Sequence, residues 1–223
     1  MTAVGPQFAE DESGFAEHLC ESLSVSHKKL DASHVIEQIK DNPSDRCYHC
    51  KKALFSEMKA KADLVGSVLA DGTNLDDLDD YRPGYKAIQE LGVASPLKEA
   101  GLTKADIRQA LAMTGIREAS DKADMPAFAC LMTRIPFGEE ITEPKLRMIY
   151  TAEEYLKQRG FTQVRVRCHE AAGGYLARIE LNRSEMDRLN EIAPVCEADF
   201  KGMGFRFVTL DLGGYEKGKM NAL

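Results

Sequence analysis

No stretch of this sequence approaches the roughly 18 apolar residues that a membrane-spanning helix needs. The opening residues, MTAVGPQFAEDESG, lack the basic start and apolar stretch of a secretion signal. Positive charge is also short, with 29 Lys and Arg against 36 Asp and Glu. That balance argues against a nonspecific nucleic-acid binder but leaves room for a local basic pocket. The chain contains no internal repeat and no low-complexity tract. The expectation is a cytoplasmic protein with a packed core.

What is present fits that description. At 223 residues the chain can form one large domain or two modest ones. Its 43% hydrophobic content supports a real core, and a mean hydropathy of −0.34 is ordinary for a soluble chain. Six cysteines, at 20, 47, 50, 130, 168 and 196, are too dispersed in too long a chain to form a small disulfide scaffold. In a reducing compartment they are expected to be thiols, metal ligands or catalytic groups.

Apolar periodicity predicts a helix from Phe8 to Leu23, with an extended piece near His27–Ala32. DNPSDRC (41–47) is turn chemistry, and KKALFSEMKAKADL (51–64) reads as an amphipathic helix. GSVLA (66–70) fits a buried strand whose end carries DGTNLDD (71–77), the place where open α/β sheets bind ligands. A helix through Tyr85–Leu91, a short strand near Val93 and a helix opened by a Thr103–Asp106 capping box follow. Ile107, Leu111 and Ile116 supply that last helix with an apolar stripe. Strands alternating with helices indicate a parallel α/β sheet.

Beyond residue 137 the pattern changes. LRMIYTAEEYLKQRG (146–160) is a helix closed by Gly160, and VRVRC (164–168) and YLARIEL (175–181) alternate like half-buried strands. SEMDRLNEI (184–192) is helical, and FRFVTLDL (205–212) is a further strand. A boundary is expected near residues 137–143, giving domains 1–136 and 143–223.

Three constellations carry chemistry. The first is RCYHC (46–50): Cys47 and Cys50 are either two unrelated thiols, half of a zinc site or part of a cluster site, and Cys168–His169 is the only other pair a zinc ion could use. The second is VRVRC, where Arg165 and Arg167 alternate with valines and share one strand face. Two guanidiniums there offer a phosphate-matched fork, or else simply a solvated face. The third is DGTNLDD, whose Asp71, Asn74, Asp76 and Asp77 could hold Mg²⁺ or orient ATP phosphates, or could serve as a helix cap and turn. DDYRPG (79–84) shapes the turn before a helix. GGYEKGK (213–219) is glycine-rich but fits no phosphate-loop spacing.

Taken together, NPSDRCYHCKKALF, DGTNLDDLDDYRPGYKAIQELGVASPLKEAGLTKADIR, PAFACLMTRIPFGEEIT, GFTQVRVRCHE, LARIEL and GFRFVTLDLGGYEKGKMN resemble the LarE-type sulfur transferases of the PP-loop ATP-pyrophosphatase superfamily. The segments are ordered and colinear over most of residues 42–221. The resemblance implies a parallel-sheet PP-loop domain followed by a smaller C-terminal α+β domain. It implies adenylation of a pyridine carboxylate by ATP, then displacement of AMP by sulfur to give a thiocarboxylate, in the biosynthesis of the nickel-pincer nucleotide of lactate racemase. AMP is the better leaving group, which is why a carboxylate is activated this way.

Two sulfur sources occur in such proteins. In one, a single cysteine gives up its sulfur and becomes dehydroalanine. In the other, three cysteines hold a 4Fe–4S cluster that carries an extra sulfide. Cys130, in PAFACL, matches the cysteine common to both, and Cys47 and Cys50 match the additional pair. Thiolates are the soft donors that such clusters take. The resemblance also places the substrate phosphate at Arg165 and Arg167, with Arg134 nearby. It implies a homo-oligomer.

The sequence departs from that family in two places. The strand, SGGxDS loop and helix that open the family's fold are absent, a unit on the order of 30 residues. The expectation is therefore a domain incomplete at its N-terminus that binds ATP poorly, through a misassigned start, a separate polypeptide supplying the piece, or decay of the gene. REASDKADMPAFAC (117–130) is also a few residues longer than usual, so the loop bearing Cys130 is expected to differ in shape. Two other readings stay open: a tRNA-thiolating PP-loop enzyme, which the net charge of −7 disfavours, and an iron–sulfur or metal-binding remnant without ATP chemistry.

Overall fold

A computed structural model describes residues 1–78, 83–114, 116, 130–216 and 218–222. The expected turn at 79–82 and the segment 117–129 before Cys130 lie outside the described residues. The chain divides into two units: Met1–Gly5, Glu10–Ile39 and Ser44–Phe128 in the first, and Pro6–Ala9, Lys40–Pro43 and Ala129–Leu223 in the second.

The first unit is α/β with a small parallel sheet. Strand β1 (Thr2–Val4) pairs in parallel with β2 (Lys29–Asp31), and helix α1 (Glu10–Ser22) connects them. A parallel pair needs such a crossover, because its strands run in the same direction. Helix α2 (His34–Gln38) packs Val35 and Ile36 inward, and α3 (Arg46–Asp63) buries Cys50, Leu54, Met58 and Ala62. Those four lie at intervals of four residues, which keeps them on one helix face.

Helix α3 begins five residues before the expected 51, so RCYHC is its first turn and not a preceding loop. Against it packs α4 (Pro83–Glu90), with Ala87 and Ile88 buried. Gly84 lets the helices approach closely at that crossing: a Cβ there would lie 2.8 Å from Lys51 Cδ and 3.1 Å from the carbonyl oxygen of Cys47.

The GSVLA segment is not the expected buried strand. Only Ala70 makes a parallel bridge, to Ala94, while Val68 is 82% exposed. The short helix α5 (Pro96–Glu99) and α6 (Lys104–Met113) follow, the latter opened by the expected Thr103–Asp106 capping box. Its apolar stripe is not core: α6 has no buried residue.

The second unit is α+β. Helix α7 (Glu143–Gln158) lays Leu146, Ile149, Ala152 and Leu156 against a sheet ordered β3–β4–β5. Strands β3 (Val164–Ala171) and β4 (Gly174–Leu181) form an antiparallel hairpin, and β5 (Phe207–Leu210) adds in parallel to β4. Two helices, α8 (Met186–Glu191) and α9 (Ala193–Met203), make the crossover, and Cys196 and Phe200 of α9 reach the core. Gly160 takes a φ of +82° two residues beyond α7, a left-handed turn that an L side chain resists. Among the described residues no helix is long and apolar enough to cross a membrane.

Candidate functional site

The period of two in VRVRC decides what faces what. Val164 and Val166 are buried at 1% and 0%, which turns Arg165 and Arg167 to the other face. In the antiparallel register Arg165 stands opposite Glu180, and Arg167 opposite Arg178. Directly opposed residues share a face, so the hairpin presents four charged side chains together.

Three of the guanidiniums here are tied to carboxylates. Arg167 donates through Nε and Nη2 to Glu180 Oε2 at 3.0 and 2.6 Å, and through Nη1 to the carbonyl of Thr133 at 3.1 Å. Arg134 donates to both oxygens of Glu153 at 2.8 and 3.0 Å, and Glu153 also accepts from the backbone N–H of Val166. Both pairs are buried. Glu180 also meets Arg178, which is paired in turn with Asp211.

Arg165 has a different setting. Its Nη1 donates to the carbonyl of Val164 at 2.7 Å, and no carboxylate lies within ion-pair distance among the described residues. Burial pulls its pKa below the ordinary guanidinium value. Arg134 and Arg167 add to that as like charges, while Glu153 and Tyr215 oppose it. The three arginines expected from the sequence are therefore electrostatic neighbours within one unit.

Cys130 belongs to the same unit and the same cluster. It precedes a one-turn helix, Leu131–Arg134, and its half-buried thiol donates to the carbonyl of Gln7 at 3.3 Å. That carbonyl also accepts the N–H of Leu131 at 3.0 Å, which fixes the cysteine's backbone. The Cys130 carbonyl accepts from Thr133 Oγ1 at 2.7 Å and from Arg134 Nη1 at 3.4 Å.

In the first unit, Cys47 is exposed and Cys50 buried, three residues apart in the first turn of α3. Burial, and then the neighbouring Cys47, push the Cys50 thiol up to about 11. Two soft donors on one helical turn suit iron–sulfur ligation. Yet among the described residues no three His, Cys, Asp or Glu side chains are grouped as a metal ion would need. Cys47 and Cys50 stand in one unit and Cys130 in the other. His49 is turned to Asp45 at 3.1 Å and is exposed.

The DGTNLDD loop is a latch. Asp71 accepts from the N–H and hydroxyl of Thr73 and from the hydroxyl of Ser95. Asp76 accepts the N–H of Lys104 at the start of α6 at 2.8 Å, and Asp77 accepts from Asn74 N and pairs with Lys104. These carboxylates tie the loop to α5 and α6. Asn74 Oδ1 is buried without a hydrogen-bond partner among the described residues.

Two further thiols, Cys168 and Cys196, are buried. Burial pushes Cys168 up to about 12 and Cys196 up to about 11. His169 accepts from Arg178 Nε at 3.1 Å and is held neutral, its pKa lowered by burial first and by Arg178 and Arg167 next. That arrangement leaves no Cys168–His169 zinc pair.

Sequence reasoning missed Glu153, Glu180, Gln7 and Tyr215. Glu180 had a signal, because in LARIEL it falls on the same alternation as Arg178. Glu153 had none: one carboxylate on a helix face looks like any other until β3 is docked on it.

Fold and site define an α/β protein that sets a cysteine beside a group of arginines. No protein-family profile matches the chain. It is 37% identical, over 99% of its length and 81% of the relative's, to an uncharacterized protein of Synechocystis. It is 33% identical, over 99% of its length and 78% of the relative's, to pyridinium-3,5-bisthiocarboxylic acid mononucleotide synthase of Lactiplantibacillus plantarum. An uncharacterized protein of Methanocaldococcus jannaschii matches 81% of the chain and 68% of its own length at 33% identity. The chain belongs to the LarE-type sulfur-transferase family.

Proposed function

We propose that this protein is an ATP-dependent sulfur transferase that converts a pyridinium carboxylate mononucleotide into its thiocarboxylate, a step of nickel-pincer nucleotide biosynthesis. Family membership supports the substrate class. The observation that carries the reading furthest is the placing of Cys130 on the arginine cluster, through the Arg134–Cys130 carbonyl contact.

In this reading ATP adenylates the substrate carboxylate, releasing pyrophosphate. Asn74 Oδ1, without a hydrogen-bond partner among the described residues, would turn to the nucleotide, and the Asp71, Asp76 and Asp77 latch frames it. The substrate's phosphate meets Arg165, with Arg134 and Arg167 supplying positive potential behind it. The Cys130 thiolate attacks the acyl carbon, a C–S bond forms and AMP departs with the C–O bonding pair. Loss of the cysteine Cα proton then breaks its Cβ–S bond, leaving thiocarboxylate on the substrate and dehydroalanine in the chain.

A 4Fe–4S cluster, where one is assembled, would take Cys47, Cys50 and Cys130 as ligands and supply a renewable store of sulfide. Anaerobic reconstitution with iron and sulfide, compared across Cys47→Ala, Cys50→Ala and Cys130→Ala, separates the routes. A three-thiolate site loses its absorbance in each variant, whereas a sacrificial cysteine leaves wild-type protein lighter by one H₂S after a single turnover. Absence of AMP and thiocarboxylate from wild-type protein given ATP and the mononucleotide would refute the activity.

A further inference from the structure

We infer that Tyr215 is a positioning residue for Arg165, and that the glycine-rich segment around it is the clasp that seats its ring. This rests on the reading that the arginine face takes the substrate's phosphate.

Three guanidiniums gather, but they are not equivalent. Arg134 commits two of its nitrogens to Glu153, and Arg167 commits all three of its nitrogens to Glu180 and the Thr133 carbonyl. An anion arriving here finds those donors occupied. Among the described residues Arg165 spends only Nη1, on a carbonyl, and keeps the rest of its fork for a ligand. Such a group, half-buried beside two like charges and without a carboxylate partner among the described residues, needs something to hold it.

The Tyr215 ring does this. The Arg165 Cζ lies 5.3 Å from the ring centroid, within cation–π range. A π face attracts the guanidinium without consuming an N–H, so the fork stays available. A carboxylate in the same place would compete with the phosphate.

The segment carrying the ring is built to stay put. Tyr215 N–H donates to the carbonyl of Leu181 at 2.8 Å. Gly214 takes a φ of +72°, and a Cβ there would lie 2.9 Å from that carbonyl oxygen and 3.2 Å from Met186 Cε. No other residue fits this position without moving the ring. Lys219 Nζ closes the turn on Asp211 at 2.8 Å and on the Gly214 carbonyl at 3.2 Å. Arg178 pins both ends, pairing with Asp211 and donating to Met220 Sδ at 3.1 Å. The described residues of this segment, 213–216 and 218–220, therefore form a clasp and not a phosphate loop.

Calorimetric titration of the full chain with inorganic phosphate and with nicotinic acid mononucleotide tests this, using Tyr215→Leu, Tyr215→Phe and Tyr215→Trp. Loss of the ring is expected to weaken mononucleotide binding about 3- to 30-fold, while the two aromatic variants stay within about 2-fold of wild type. Tyr215→Trp and Tyr215→Phe keep the test open should Tyr215→Leu fail to fold, since both must then bind as wild type does. Wild-type affinity in Tyr215→Leu would overturn the inference, as would equal weakening in Tyr215→Phe, or wild-type protein that binds neither probe. Thiocarboxylate formation is scored separately: wild type that makes product while Tyr215→Leu binds normally sinks only the positioning role. Ring-dependent binding without product sinks only the sulfur-transfer reading.

Discussion

Arg167 and Glu180 are diagonal neighbours across β3 and β4, joined by two hydrogen bonds to one carboxylate oxygen, with Glu180 wholly removed from solvent. Truncating one partner of such a pair strands the other charge. Glu180→Ala is expected to cost about 3–5 kcal/mol in urea denaturation. A loss below about 1 kcal/mol would mean that water reaches Arg167.

Arg165 is expected to behave in the opposite way. Its removal breaks no ion pair among the described residues and relieves repulsion from Arg134 and Arg167. Arg165→Ala therefore changes stability by less than about 1 kcal/mol but raises KM for the mononucleotide while leaving kcat largely intact. The reverse split, large destabilisation with unchanged KM, would place the anion elsewhere.

The loop latch makes a separate prediction about α6. Asp76 caps Lys104 N, and the Thr103–Asp106 box caps the same helix. Asp76→Ala and Thr103→Ala should each lower stability by about 1 kcal/mol. Thermal melts with and without Mg²⁺ check the latch reading. A Mg²⁺-dependent rise in Tm that Asp76→Ala abolishes would show that the loop binds the cation after all.

Thiol chemistry gives a pH prediction. Burial raises Cys50 to about 11, Cys196 to about 11 and Cys168 to about 12, against an ordinary 9.0. Between pH 9 and those values the unfolded chain ionises these thiols while the folded chain keeps their protons. Their contribution is thus complete below pH 9 and is lost as pH rises toward 11–12. At neutral pH, exposed Cys47 is alkylated before these three. Peptide mapping after brief iodoacetamide treatment reads the order directly, and early labelling of Cys50 would contradict its burial.

Much of the second unit was legible because alternation is a strong signal. Burial of Val164 and Val166 turns the arginines to one face, and that follows from a period of two. The helix at 143–158 and its glycine stop were equally readable. The first unit was less so. DNPSDRC looks like a turn, yet the backbone carbonyl of Asp45 already accepts the N–H groups of Tyr48 and His49, so α3 starts at Arg46 and takes in RCYHC. GSVLA looks like a buried strand because it is apolar, but composition does not supply strand partners, and only Ala70 finds one among the described residues. Glu180 shares the strand alternation of Arg178, but Glu153, which ties down Arg134, is brought there by tertiary packing that no local pattern reports.

The most direct test of the central claim is thiocarboxylate formation by mass spectrometry. Wild-type and Cys130→Ser protein are each incubated with ATP and the pyridinium dicarboxylate mononucleotide. Wild type is expected to yield product and AMP, and Cys130→Ser to yield no thiocarboxylate. Product from Cys130→Ser at wild-type yield would contradict the role given to Cys130.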